Sequence, residues 1–177
     1  MVDVAFGGDG MTEPMLLEEG STIRNMGTQD ARLVRDFIPG QTELSPERKR
    51  WMYQYRNSID VPWNTFYVFS DAVEWLPADF DVINVFTGSS HSHQTSNVLV
   101  IKFLRRDKES GGGEEIYGKR MLVNAVVKEN LGGKTKVVAE CRTEEERVKA
   151  LEDWFGITLT EEERKAIQGY HTELKNR

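Results

Sequence analysis

Aromatic positions alternate between residues 51 and 69. Trp51, Tyr53 and Tyr55 fall on one side of an extended segment, and Met52, Gln54 and Arg56 on the other. This period of two marks a β-strand. The stretch 57–62, Asn-Ser-Ile-Asp-Val-Pro, reads as a turn. A second run follows, with Trp63, Thr65, Tyr67 and Phe69 expected on one face. The pair predicts an antiparallel hairpin held by cross-strand aromatic contacts. Upstream, Pro14, Gly20 and Gly27 punctuate short segments, and Ala31-Arg32-Leu33-Val34 reads as another strand. The chain opens on Met1-Val2-Asp3-Val4-Ala5-Phe6, also strand-like, and then Gly7-Gly8-Asp9-Gly10. Residues 1–69 thus predict a small barrel or strongly curved sheet.

The period changes after Ser70. Leu76, Phe80, Ile83 and Thr87 recur at helical spacing, with Pro77 early and Asp79 and Asp81 in the first turns. Proline at the first helical position and acids near the N-terminus are start signals, so a connecting helix is expected up to Gly88. Beyond it, 97–104 and 121–127 read as strands, and the glycine-rich stretch 107–113 as a loop tip. Gly132-Gly133 turns the chain back into a strand over 136–139. Two closing helices are each predicted to start with a capping box, Thr143 with Glu146 and Thr160 with Glu163. Leu151, Trp154 and Phe155 give the first of them an apolar stripe, ended by Gly156.

Composition narrows the class. At 177 residues the chain can bury a core without staples. A net charge of −6 and the absence of a basic stripe argue against nucleic acid as a partner. Cys141 is the single cysteine, which rules out an internal disulfide and fits a reducing compartment. No apolar run approaches the ~20 residues that span a bilayer, and no signal-peptide pattern is visible. A cytoplasmic protein without membrane association is expected.

Few residues offer chemistry. Asp3 is a carboxylate within an apolar run, and an ionised group is seldom buried without a partner. It suits the acid that orients a histidine in a Cys-His-Asp arrangement; the alternative is a strand-end residue satisfying turn amides. Gly7-Gly8-Asp9-Gly10 allows a tight turn or a close approach to a ligand, and it is not a P-loop. Cys141 is the only thiol, and it precedes the acidic helix start Glu144-Glu145-Glu146, which opposes thiolate formation. It reads as unreactive, with a different Cys141-dependent enzyme as the weaker alternative. His91 and His93 lie in a Ser/Thr-rich stretch and read as a polar loop, since two histidines alone make a poor metal site. The hydroxyls of that loop and Asn97 could hydrogen-bond a polar ligand. His171 reads as solvated.

The ordered segments VDVAFGGDG, GTQDARLVRDFIPGQ, WMYQYRN, PWNTFYVF, LPADFDVINVFT, TSNVLVIKFL, GKRMLVNAVVKENLGGKT and EERVKALEDWFGITLTEEER resemble the fungal branch of the arylamine N-acetyltransferases, from about residue 2 to about 175. The resemblance implies an α+β fold of the cysteine-protease-like superfamily: an antiparallel β-barrel-like part (1–72) carrying the triad aspartate, a connecting helix and loop (73–90), and an α/β lid (91–177). It implies acetyl transfer from acetyl-CoA to a small aromatic amine or hydrazine by a ping-pong Cys-His-Asp mechanism without a metal, as in xenobiotic metabolism. On this resemblance Asp3 matches the triad acid and Phe6 the aromatic lining the acceptor pocket. Gly8 and Gly10 match the turn beside the pantetheine arm, and Thr95 and Ser96 the hydroxyls near the coenzyme's phosphates. The family's Arg-Gly-Gly-x-Cys motif and its histidine lie upstream of the aspartate, and neither occurs here. The expectation is an N-terminally truncated member without the helical bundle, inactive alone. The alternative is a non-catalytic remnant or a ligand- or partner-binding protein of the same fold. Apolar surface left by the missing bundle would favour self-association.

Overall fold

A computed structural model describes residues 8–175. Strands β1 (Thr22–Arg24), β2 (Asp30–Asp36), β3 (Arg50–Arg56) and β4 (Asn64–Phe69) form one antiparallel sheet in the order β1-β2-β3-β4. Strands β5 (Leu99–Asp107), β6 (Glu114–Val123), β7 (Val126–Asn130) and β8 (Lys136–Glu140) form a second sheet in the order β5-β6-β7-β8. The helices are α1 (Pro77–Thr87), α2 (His93–Ser96), α3 (Glu144–Ala150) and α4 (Glu161–Lys165). The chain divides into two compact units. The first takes in the residues up to Glu74, Arg106–Tyr117 and the turn Leu131–Lys134; the second takes in the rest.

The α+β class holds, with an open meander as the first sheet among the described residues. Its core gathers Met15, Ala31, Leu33, Trp51 and Tyr53. The predicted aromatic hairpin is present: Trp51 stacks on Phe69 with centroids 6.3 Å apart, and Tyr53 on Tyr67 at 5.1 Å. One detail of the alternation is corrected. The register slips between Tyr53 and Gln54, so that Tyr53 faces Tyr67 while Gln54 faces Thr65. Phe66 is the extra residue of a β-bulge. It joins the buried aromatic side, edge-on to Tyr55 at 5.7 Å. Thr65 and Trp63 are thereby moved off the Tyr67–Phe69 face. Thr65 accepts from Gln54 Nε2, and the Trp63 ring lies under the guanidinium groups of Arg32 and Arg56.

Glycine turns with left-handed φ shape the first unit, and they differ in how crowded they are. Gly27 (φ +56°) and Gly132 (φ +90°) meet backbone to backbone, so a Cβ on Gly132 would come within 2.6 Å of Gly27 Cα. Thr28 N–H and its hydroxyl both donate to Gly132 O. Gly20 also has a left-handed φ of +83°, but open space surrounds it.

In the second unit Leu122, Val127, Cys141, Ala150 and Phe155 form the core, with Val98, Val100, Ala139, Leu151, Trp154 and Leu174 packed on it. The apolar run 121–127 is two strands rather than one. Asn124 takes φ +54° and turns β6 into β7, a conformation asparagine tolerates better than most residues. Its side chain stabilises the turn further: Oδ1 accepts from Val98 N at 2.9 Å, and Nδ2 donates to Asn97 Oδ1 at 2.8 Å. Helix α3 runs on as a π-helical turn, Leu151–Phe155, which Gly156 ends at φ +73°. Thr160 and Glu163 form the predicted reciprocal capping box. At Thr143 the box is only half made: Thr143 Oγ1 accepts from Glu146 N, but the Glu146 carboxylate takes Arg142 N–H at 2.6 Å. Buried Arg147 is fully engaged. It pairs with Glu144 and donates to Asn124 O and Thr172 O, which offsets the cost of burying its charge.

Helix α1 begins as expected, with Asp79 accepting from Leu76 N at 2.8 Å. All of Asp71–Phe86 is exposed, including Trp75, Leu76, Phe80, Val82, Ile83, Val85 and Phe86.

The two kinds of glycine turn should separate in urea unfolding. Gly20→Ala should cost about 1–2 kcal/mol, the strain of a left-handed φ alone. Gly132→Ala, which adds a backbone clash, should cost roughly twice that or more. Equal costs would contradict the close approach of the two backbones.

Candidate functional site

Of the residues singled out by sequence, Asp3 and Phe6 lie outside the described residues. The turn that follows them is well defined. Gly8 is buried with φ +79°, and Asp9 and Gly10 are half-buried. A bare backbone at a left-handed φ is what a glycine supplies where a ligand or another strand must come close.

Two amide side chains hold this turn. Asn25 is 8% exposed and Gln29 1% exposed. Asn25 Nδ2 donates to Gly10 O at 3.0 Å and to Gln29 Oε1 at 2.7 Å, and its Oδ1 accepts from Thr12 N at 2.8 Å. Gln29 Nε2 donates to the Asp9 carboxylate at 3.2 Å and to Asn57 Oδ1 at 3.1 Å. Tyr53, fully buried, donates its hydroxyl to Asp9 O at 2.8 Å. Every amide hydrogen of Asn25 and Gln29 therefore has an acceptor, as buried polar groups require. The Asp9 charge is felt nearby: burial first, and then Asp9, push the Tyr55 phenol above its ordinary pKa.

None of this clamp was predicted from sequence. Two amides four residues apart look like loop composition, and Tyr53 reads as a core aromatic. The available signal was the position of Gln29, directly before the apolar strand β2 and after a glycine turn.

The polar stretch at 89–97 belongs to the second unit and contains the short helical turn α2, capped by Ser92. The Thr95 hydroxyl points inward, toward Ser89 O and Ser92 O. Ser96 Oγ accepts from Asn97 Nδ2 at 3.1 Å, so its own proton remains for another acceptor. Asn97 Nδ2 also donates to His93 O at 3.1 Å and lies 2.9 Å from His93 Nδ1. Through Asn97 Oδ1 the turn is tied to Asn124. His91 and His93 are exposed. Among the described residues no group of three or more His, Cys, Asp or Glu side chains is arranged to hold a metal ion, and no helix is long and apolar enough to cross a membrane.

Cys141 is 7% exposed within the second core, and its N–H donates to Ala125 O at 2.7 Å. Burial raises the thiol pKa above its ordinary value. The Glu146 and Glu144 carboxylates raise it further against the opposing Arg147 charge. The geometry is that of a core residue and not of a nucleophile.

The architecture has clear counterparts among known proteins. No family model matches the chain. Its fold is similar to that of solved arylamine N-acetyltransferases. It superposes on the enzyme of that name from Salmonella typhimurium with a TM-score of 0.65 and 20% identity, covering 93% of this chain and 54% of the other. On the Mycobacterium marinum arylamine N-acetyltransferase, solved in complex with CoA, the TM-score is 0.54 at 18% identity, covering 80% and 42%. In sequence it is 31% identical over 175 residues to the N-malonyltransferase FDB2 of Fusarium pseudograminearum (strain CS3096), which covers 94% of this chain and 49% of that relative. The chain is thus similar in fold to arylamine N-acetyltransferases and similar in sequence to a fungal N-malonyltransferase. It spans about half the length of the curated relatives it matches.

A raised thiol pKa leaves less thiolate at a given pH than a free cysteine has. Native Cys141 should react with a disulfide reagent at pH 8 at least tenfold more slowly than the urea-unfolded chain, a difference measurable by absorbance. Comparable rates would show an accessible thiol.

Proposed function

We propose that this chain contributes the curved sheet, connecting helix and α/β lid of a coenzyme A-dependent N-acyltransferase. The observation that carries the reading is the 31% identity to a fungal N-malonyltransferase along 94% of the chain. Likeness in fold to a transferase solved with CoA supports it. The acceptor class is a small aromatic amine or hydrazine. The relative's name favours malonyl over acetyl as the acyl group carried.

In this reading Asp3 is the acid that orients and charges a catalytic imidazole, and Phe6 lines the acceptor pocket. The Gly8–Gly10 turn faces the pantetheine arm with bare backbone. Ser96, whose proton is available, is the better phosphate donor of the pair with Thr95. The division into 1–72, 73–90 and 91–177 is the functional one, and the site of action is the cytoplasm. A thioester mechanism needs an accessible thiolate, and Cys141, the single cysteine, is buried among apolar side chains. The 177 residues by themselves therefore bind coenzyme without turning over.

Isothermal titration of the 177-residue protein tests the first part: saturable binding of CoA is expected, with malonyl-CoA bound at least as well as acetyl-CoA. No heat of binding at millimolar CoA would overturn it. In an arylamine assay with either thioester, the same protein should show no transfer above the uncatalysed rate. A robust rate would refute the inactive-alone reading.

The exposed apolar run from Val73 to Phe86 favours a second reading, a protein that acts by association through α1. Light scattering should then give a mass above the monomer's. Val82→Lys with Val85→Lys, at positions 75% and 77% exposed, should lower it without loss of folded signal. A wild-type monomer at all concentrations would dismiss association.

A further inference from the structure

We infer that Asn25, Gln29 and Tyr53 are positioning residues that lock the Gly8–Thr12 turn in the shape a coenzyme arm requires. The identity of the arm rests on the acyl-CoA reading above; the lock rests on the geometry alone.

Three observations carry it. Residues 8–12 carry no helix or strand, and buried side chains supply much of what holds their shape. Its polar groups go to two amides and one phenol: Asp9 O to Tyr53, the Asp9 carboxylate to Gln29, and Gly10 O and Thr12 N to Asn25. The two amides also bond each other, and both are buried. They form one closed unit in which each donor and acceptor sense is fixed by the next. This unit has a rigid base. Asn25 N–H donates to Gln29 O at 2.8 Å across the Gly27 turn, and that turn is held against Gly132.

Core packing alone does not explain these residue types. An apolar side chain would fill the space of Gln29 without having to satisfy two donors and an acceptor. The amide is needed because the groups it meets are a carboxylate, an amide oxygen and an amide nitrogen, all in fixed orientation. A glycine turn that must present bare backbone to a ligand has no side chain to stabilise it, so its stabilisation has to come from behind.

Gln29→Glu is the direct test, because it keeps the shape and replaces two donors by an acceptor facing the Asp9 carboxylate. Exchange of the Thr12 and neighbouring amide hydrogens, followed by NMR, should accelerate at least tenfold. The CoA dissociation constant should rise roughly tenfold, the scale set by losing a charge-assisted hydrogen bond. Adding Asp9→Asn to Gln29→Glu returns a donor to the pair. Both exchange and CoA affinity should then recover to within about threefold of wild type, a rescue that a general loss of stability would not give. Tyr53→Phe, which keeps the buried ring, should loosen the turn in the same direction and guards against a Gln29 variant that fails to fold.

A lower melting temperature with unchanged turn exchange and unchanged CoA affinity would overturn the inference. So would failure of the Asp9→Asn rescue in a folded double variant. If the wild-type chain binds no CoA while turn exchange responds and is rescued as described, the lock stands and the acyl-CoA reading falls.

Discussion

The contact of two backbones at Gly27 and Gly132 is the constraint on which the hydrogen-bonded clamp behind the first unit's glycine turn depends. No side chain fits there. The approach is therefore set by main-chain geometry and by the two hydrogen bonds from Thr28 to Gly132 O. Once the Gly27 turn is fixed, Asn25 and Gln29 stand opposite each other, and the Gly10 carbonyl and Thr12 N–H of the 8–12 turn select the sense in which their amides bond. A small steric fact thus propagates through hydrogen-bond polarity to a segment more than a dozen residues away in sequence.

Much of the fold was legible in sequence because it rests on periodicity and on caps. The Trp51–Tyr55 alternation, the Pro77 start of α1, the Thr160–Glu163 box and the Gly156 stop depend on neighbours within a few residues, and each is present. What escaped depends on partners elsewhere. The bulge at Phe66 exists because β4 must pair with β3 over its whole length, and nothing in the run Asn64–Phe69 marks the extra residue. Asn124 interrupts a continuous apolar run that reads as a strand; its turn is stabilised by Val98 and Asn97, distant in sequence. The Glu146 carboxylate found Arg142 N–H rather than completing the box, a choice between adjacent amides that the pattern does not make.

The candidate site divides in the same way. The ordered resemblance along the chain brought the fold and the acyltransferase relatives into view, and the acids of α3 that sequence sets against a Cys141 thiolate act in the same direction as its burial. The support behind the glycine turn was invisible, since it is assembled from Asn25, Gln29, Tyr53 and Asn57, which sequence places in three separate segments. Sequence offered Thr95 and Ser96 as equivalent hydroxyls. The structure distinguishes them, since Thr95 bonds the carbonyls of its own turn and Ser96 does not.

Helix α1 has a consequence of a different kind. It is 11 residues long and buries no side chain. A helix of that length in water is marginal, because nucleation is costly and propensity alone returns little; β-branched Val82, Ile83 and Val85 weaken it further. A surface that covered α1 would supply most of the free energy that keeps it helical, so that docking and the coil-to-helix transition would be a single equilibrium, with a large negative heat-capacity change and an affinity reduced by the entropy of ordering the segment.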